Sequence, residues 1–152
     1  MMNIEDNKLI QQIGEILEKN KDAEKGYNTA AENADDPELK ELFLKRSNER
    51  KDFNIRLKRE VDSNYGELSK EGTYKEALRR TWMDAKSFVA GKDDLFLLEN
   101  VIRGETAALE EYEELMKAKH LPIMLSQIIQ NHLIKIRTDI IQIKSMKQKL
   151  EK

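Results

Sequence analysis

Apolar residues recur at alternating three- and four-residue steps in four separate stretches of this chain. That spacing lays one face of an α-helix against a core. The first stripe is Ile10, Ile13, Leu17, Tyr27, Ala31 and Ala34, and predicts a helix over residues 3–34. Asn20 and Glu24 fall in the same register and interrupt it. The second stripe, Leu39, Leu42, Phe43, Phe53, Leu57 and Val61, predicts a helix over 37–62, with Arg46, Glu49 and Arg50 in its middle. The third, over 94–119, carries Leu98, Val101, Ile102, Ala108, Tyr112, Leu115 and Met116, with Glu105 in line. The fourth, over 122–150, has Ile129, Leu133, Ile136, Ile140 and Ile143 on one face, broadened by Ile128, Ile134 and Ile141.

Punctuation between the stripes fixes their order in space. Asp35-Asp36-Pro37-Glu38 offers a cap, a proline suited to the first helical position and an acid for the first turn. So short a joint makes the first two helices antiparallel. Residues 62–72 read as a loop, and Thr73-Tyr74-Lys75-Glu76 is a capping box that opens a shorter helix over 73–90. Leu78, Trp82, Ala85 and Val89 give it an apolar face, Trp82 being its anchor on the bundle. Gly91 ends it, and Asp93 suits the next N-cap. A helix of that length, about 25 Å at 1.5 Å per residue, can travel the length of a bundle. The third helix then runs parallel to the second, the crossover arrangement of ferritin-like bundles. An up-down-up bundle with an extra packed helix is the alternative.

Composition narrows the class. Six glycines and two prolines in 152 residues, with charged residues at 37%, favour long helices over strands. A single all-α domain over 1–152 is expected. A net charge of −2 gives no electrostatic reason for a nucleic-acid partner. The chain has no cysteine, which removes disulfides and thiolate ligands. It begins on an acidic, polar stretch unlike a secretory signal, and no run of about 18 apolar residues would span a membrane. A cytoplasmic protein is the expectation.

The chemistry turns on inward-facing acids. Di-iron bundles take a Glu from each of two helices and a Glu-x-x-His pair from each of the other two. Here the histidines are His120 and His132, preceded at that spacing by Lys117 and Ile129, so neither closes such a pair. Glu24, Glu49, Asp52 and Glu105 remain as candidate oxygen ligands for a hard cation such as magnesium or manganese. Against that reading, Arg46 and Arg50 stand at the same height, and an acid beside a guanidinium is more often a structural ion pair. The mid-section of the last helix is also aliphatic. Glu24 is therefore expected to pair with Arg46 or Arg50. His132 reads as a half-exposed boundary residue. No catalytic set, phosphate loop or cofactor motif is visible, so no cofactor is expected and any small-molecule ligand stays undefined. The breadth of the last helix's apolar arc predicts a homodimer.

The stretches DAEKGYNTAAENADDPELKELF, ERKDFNIRLKREV, RRTWMDAKSF and RGETAALEEYEELM resemble a bacterial ferritin-like family catalogued only as a domain of unknown function. The resemblance runs over residues 4–147 and implies a ferritin-like bundle without an assigned activity. Relatives carry an acid and a His-Asp pair in the last helix, and only Asp139 matches it here. The expected function is a non-catalytic structural or interaction protein, with a stress-related role suggested by analogy with the family. A divergent metal-carboxylate protein is the alternative, and a small-molecule binder using the mid-bundle polar layer is a third reading.

Overall fold

The structure, a computed structural model, describes residues 4–66 and 93–152, with side chains from residue 7 onward. Four helices account for nearly all of them: α1 (Ile4–Asn33), α2 (Pro37–Tyr65), α3 (Asp94–Leu115) and α4 (Ile123–Glu151). No strand occurs among the described residues. The expected crossover helix at 73–90, with Trp82, lies outside them.

Local chemistry explains where the helices start and stop. Pro37 occupies the first turn of α2, where its missing N–H costs nothing. Asp93 caps α3 by accepting the Phe96 N–H at 2.9 Å. Asp94 then accepts the Asp35 and Asp36 N–H groups at 2.8 and 3.1 Å, tying the start of α3 to the α1–α2 joint. α2 runs three residues beyond its expected end. Asn64 bonds back to the Glu60 carbonyl at 2.8 Å, and the stop comes only at Gly66, whose φ of 64° suits a residue without Cβ. α3 ends four residues short of residue 119. Its last turn tightens through i→i−3 bonds at Lys117 and Ala118, and Ala118 and Leu121 fold back onto the core ahead of Pro122.

Contacts between helices establish direction. Lys19 meets Glu111, Asn20 meets Tyr112 and Tyr27 meets Glu105, so α3 descends as α1 climbs. Ser47 meets Glu24 and Asn54 meets Leu17, so α2 is also antiparallel to α1. Hence α2 and α3 are parallel, as the crossover reading requires. α4 runs against α2, as Arg46–Asp139 and Glu49–Lys135 show, and therefore against α3, to which Tyr112–His132 ties it. None of these helices is long and apolar enough to cross a membrane.

The core falls into two apolar parts. One, aliphatic, gathers Leu9, Ile13, Ile16, Leu57, Leu115, Leu125, Ile129 and Ile136. The other surrounds the α1–α2 joint, where Ala23, Ala30, Ala31 and Ala34 make room for Phe43, Leu97, Leu98 and Val101. Full burial of each large aliphatic side chain contributes about 1.5–3 kcal/mol. Between the two parts lies a layer of buried polar side chains from all four helices. The apolar arc of α4 divides between core and solvent. Ile143 is buried, while Ile134 and Ile141 face solvent.

Candidate functional site

The polar layer is built from residues that occupy core positions by spacing alone. On α2 the buried line runs Leu39, Phe43, Arg46, Arg50, Phe53, Leu57, Val61, so both arginines point inward. Arg50 and Glu105 form an ion pair in which neither side chain is more than 3% exposed. The guanidinium also donates to Asn20 Oδ1 at 2.8 Å. The second Glu105 oxygen accepts the Tyr27 hydroxyl at 2.8 Å. Both carboxylate oxygens are thus engaged.

Donor and acceptor inventory gives the remaining bonds a direction. Asn20 spends its two amide hydrogens on the Ile16 carbonyl, at 2.8 Å, and the Tyr112 oxygen, at 2.7 Å. Tyr112, receiving from Asn20, donates its own hydrogen to His132 Nδ1 at 2.8 Å. The proton of neutral His132 therefore sits on Nε2. The imidazole stacks on Phe53, with centroids 3.7 Å apart and planes 14° from parallel. His132 is thus a buried member of the layer rather than a boundary residue. Asparagine on α1, arginine on α2, tyrosine on α3 and histidine on α4 form one chain of bonds.

A second cluster lies one turn along α2. Arg46 contacts Asp139 and Glu49, each at 3.0 Å, and Gln142. Lys135 joins Glu49 at 3.1 Å and Asp139 at 3.3 Å. Arg46 Nε has no hydrogen-bond partner among the described residues. This cluster opens at the α2–α4 seam, where the Glu49 side chain is 27% and the Lys135 side chain 37% exposed.

Burial and neighbouring charge set the ionisation of these groups. Burial pushes the Tyr27 phenol well up, and Glu105 beside it adds to that. Tyr112 is also raised by burial, although Arg50 and the Asn20 hydrogen bond oppose it. Burial would release the Arg50 proton more easily, but Glu105, Tyr112 and Tyr27 together more than offset it, so Arg50 stays charged. His132 is held well below its ordinary range by burial, with Arg50, Lys135 and Arg56 acting in the same sense. Asp139 is raised, since burial outweighs Arg46 and Lys135. Burial would raise Glu49 too, but hydrogen bonds from Arg46 and Lys135 bring it down.

The four acids singled out by sequence end up in different places. Glu105 is sealed against Arg50 and Tyr27. Glu49 belongs to the outer cluster. Asp52 is exposed and lines a shallow groove with Arg56, Asn131 and Lys135. Glu24 is half-buried beside Lys21, Lys51 and Lys58 in a groove between α1 and α2. Among the described residues, no group of three or more His, Asp and Glu side chains is placed to hold a metal ion. The expected pairing of Glu24 with Arg46 or Arg50 is overturned: those guanidinium groups go to Glu105, Asp139 and Glu49. The height is right, since Ser47 Oγ donates to the Glu24 carbonyl at 2.9 Å. The face is wrong. Ala23 is buried completely, which turns its neighbour to the edge and spares the fold an inward carboxylate.

Asn20, His132 and Asp139 are members of the layer that their individual chemistry did not single out as such. Spacing carried a signal for the last two. His132 follows Ile129 by three and precedes Ile136 by four, and Asp139 stands likewise between Ile136 and Ile143.

The protein family described as domain of unknown function DUF2383 matches residues 8–118, and the chain belongs to it. That match takes in most of α1 with α2 and α3 and stops ahead of α4, short of the resemblance over residues 4–147 expected from sequence. No curated protein and no solved structure matches the chain.

Proposed function

We propose that this DUF2383 member is a non-catalytic bundle of ferritin-like topology, serving a structural or interaction role. The observation that carries this reading is the Arg50 guanidinium set between Glu105 and Asn20 in the middle of the bundle. Metal-binding bundles use mid-height carboxylates to hold cations. Here a side-chain cation neutralises the central carboxylate, and Tyr27 takes its other oxygen. Glu105 has no oxygen left unengaged for an incoming ion, and the acids at 24, 49 and 52 lie on other faces. Asn20, Arg50 and Glu105 are each at most 2% exposed, so a substrate has no route to them without opening the bundle. Nor does the layer contain a nucleophile activated by a base. Its histidine accepts from a phenol whose pKa is raised, which makes that phenol a reluctant proton donor.

Elemental analysis of protein purified without chelator tests the reading. The expected result is less than a stoichiometric amount of iron or manganese. About one or two equivalents per chain, lost on Glu105→Ala, would replace it with the metal-carboxylate alternative.

A further inference from the structure

The solvent face of α4 differs from the outer faces of the other described helices. From Gln127 through Asn131, Ile134, Thr138 and Ile141 to Ser145, each residue is exposed and none is charged. The corresponding outer line of α3, Glu99, Arg103, Thr106, Glu110 and Glu113, is exposed and almost wholly charged. In a chain with 37% charged residues, an uncharged line of this length calls for an explanation. Ile134 is 52% and Ile141 70% exposed, one heptad apart.

We infer that this face of α4 seats a second copy of the chain, with α4 packed antiparallel on its twin about a two-fold axis passing between Arg137 and Thr138. The residue types are self-complementary about that point, as an isologous contact requires. Ile134 lies across from Ile141 of the twin helix, and Gln127 across from Gln148. Lys144 faces Asn131 rather than another cation.

Charge supports the same occupant. Of the cations beside the face, Arg137 is held within its own protomer by Glu113 at 2.8 Å and Lys135 by Glu49 and Asp139, while Lys144 is the one set against Asn131 of the twin. Arg137, which adjoins the axis, is thus neutralised by Glu113 before it meets its twin, and the face does not call for an acidic partner. An anionic membrane fits less well. Interfacial helices offer a continuous apolar face, whereas Asn131, Thr138 and Ser145 set an amide or hydroxyl side chain on every second turn here, as in helix–helix seams with polar residues among the apolar ones. Stable interfaces use about 20–30 residues a side, and this face of one helix supplies well under half of that. A reversible, concentration-dependent dimer follows. The inference rests on the interaction role proposed above, but the two fail separately, since metal analysis tests the sealed layer and molecular mass tests this face.

The experiment is analytical ultracentrifugation of the full chain over a wide concentration range. The weight-average mass should rise toward that of two chains, and Ile134→Lys or Ile141→Lys should weaken association by at least about tenfold. Both sites are exposed, so circular dichroism should show both variants folded. The absence of cysteine permits a direct check of register. Thr138→Cys should give an inter-chain disulfide under mild oxidation, and Thr106→Cys on α3 should not. Mixing Ile134→Cys with Ile141→Cys should yield more cross-linked dimer than either alone. A monomer at every concentration, a dimer insensitive to Ile141→Lys, or a monomer that co-sediments with phosphatidylglycerol vesicles would overturn the inference.

Discussion

Arg46 and Arg50 stand one turn apart on the same helix, and their surroundings could hardly differ more. Arg50 meets a single carboxylate, and that carboxylate, its tyrosine and the asparagine are all closed to solvent. Arg46 is shared among Glu49, Asp139 and Gln142, and Lys135 competes for the same acids at a seam open to water. Neighbouring helices make the difference. α1 and α3 present amide, phenol and carboxylate groups between apolar walls, while α4 presents Lys135, Asp139 and Gln142 at its edge. A sealed pair has one charged partner each and no water to replace it. A shared cluster has substitutes for each contact.

Removing Glu105 is the severest test of that contrast. Glu105→Ala strands a buried guanidinium and takes the acceptor from Tyr27, and such losses cost about 3–5 kcal/mol. Urea unfolding with an unchanged m-value should show it. Replacing both partners, Arg50→Met with Glu105→Leu, should recover most of the loss, because desolvation of both charges vanishes together. If the double variant is as unstable as the single one, the pair contributes more than its own neutralisation, and Asn20 and Tyr112 must depend on it.

Arg46→Ala should cost less, about 1–3 kcal/mol, since Lys135 remains beside both Asp139 and Glu49. Glu49→Ala should cost only about 0–1 kcal/mol, as expected of a partly solvated pair. A double-mutant cycle across Arg46 and Asp139 would sharpen the comparison. Coupling as large as that across Arg50 and Glu105 would mean that opening to solvent does not weaken the outer cluster.

Spacing made the depth of these groups legible and left their partners hidden. Arg46 and Arg50 fall on the line of Leu39, Phe43, Phe53, Leu57 and Val61, so their burial follows from helical geometry. His132 and Asp139 follow from the same rule on α4, once polar residues at core spacing are counted as core. Direction was legible as well, because the Asp-Asp-Pro joint and the capping signals place the helix ends. Partner choice was not. A guanidinium at the centre of four helices can turn toward any of three neighbours, and the turn depends on which acid lies fully inside. On α1 the 3.6-residue period accommodates Ala23 or Glu24 at the same depth, and only packing decides between them.

The pH dependence of stability should separate the two clusters again. His132 has a folded pKa below its ordinary value near 6.5, because burial and the nearby Arg50, Lys135 and Arg56 disfavour its charged form. The unfolded state therefore binds the proton first. The stabilising contribution of neutral His132 is full above pH 6.5 and is lost as pH falls toward the folded value, at up to about 1.4 kcal/mol per pH unit. Asp139 acts oppositely: its folded pKa is raised above 3.8, so acid relieves its burial cost in that lower window. Urea midpoints measured from neutral pH downward should fall below pH 6.5 in the wild type. In His132→Gln they should stay flatter, the glutamine oxygen still accepting from Tyr112. An equal slope in both proteins would assign the acid sensitivity to other groups.

The smallest effect is expected at Glu24, where the sequence pattern had pointed to a large one. If Glu24 were the partner of a buried arginine, Glu24→Gln would remove a charge from the core. It lies instead at the α1–α2 edge, half-buried among Lys21, Lys51 and Lys58, and only its backbone carbonyl is tied to α2, through Ser47. The carbonyl bond survives the substitution. Glu24→Gln should therefore leave stability at neutral pH within about 0.5 kcal/mol of wild type. Ser47→Ala should cost more, because Ser47 is buried at 3% exposure and its hydroxyl donates a side-chain bond that joins the two helices at this height. Loss of such a bond is worth roughly 0.5–1.5 kcal/mol. The reverse order, with Glu24→Gln the more damaging, would place the Glu24 carboxylate among the groups that hold the layer together. It would also reopen the pairing that the Arg50–Glu105 geometry excludes.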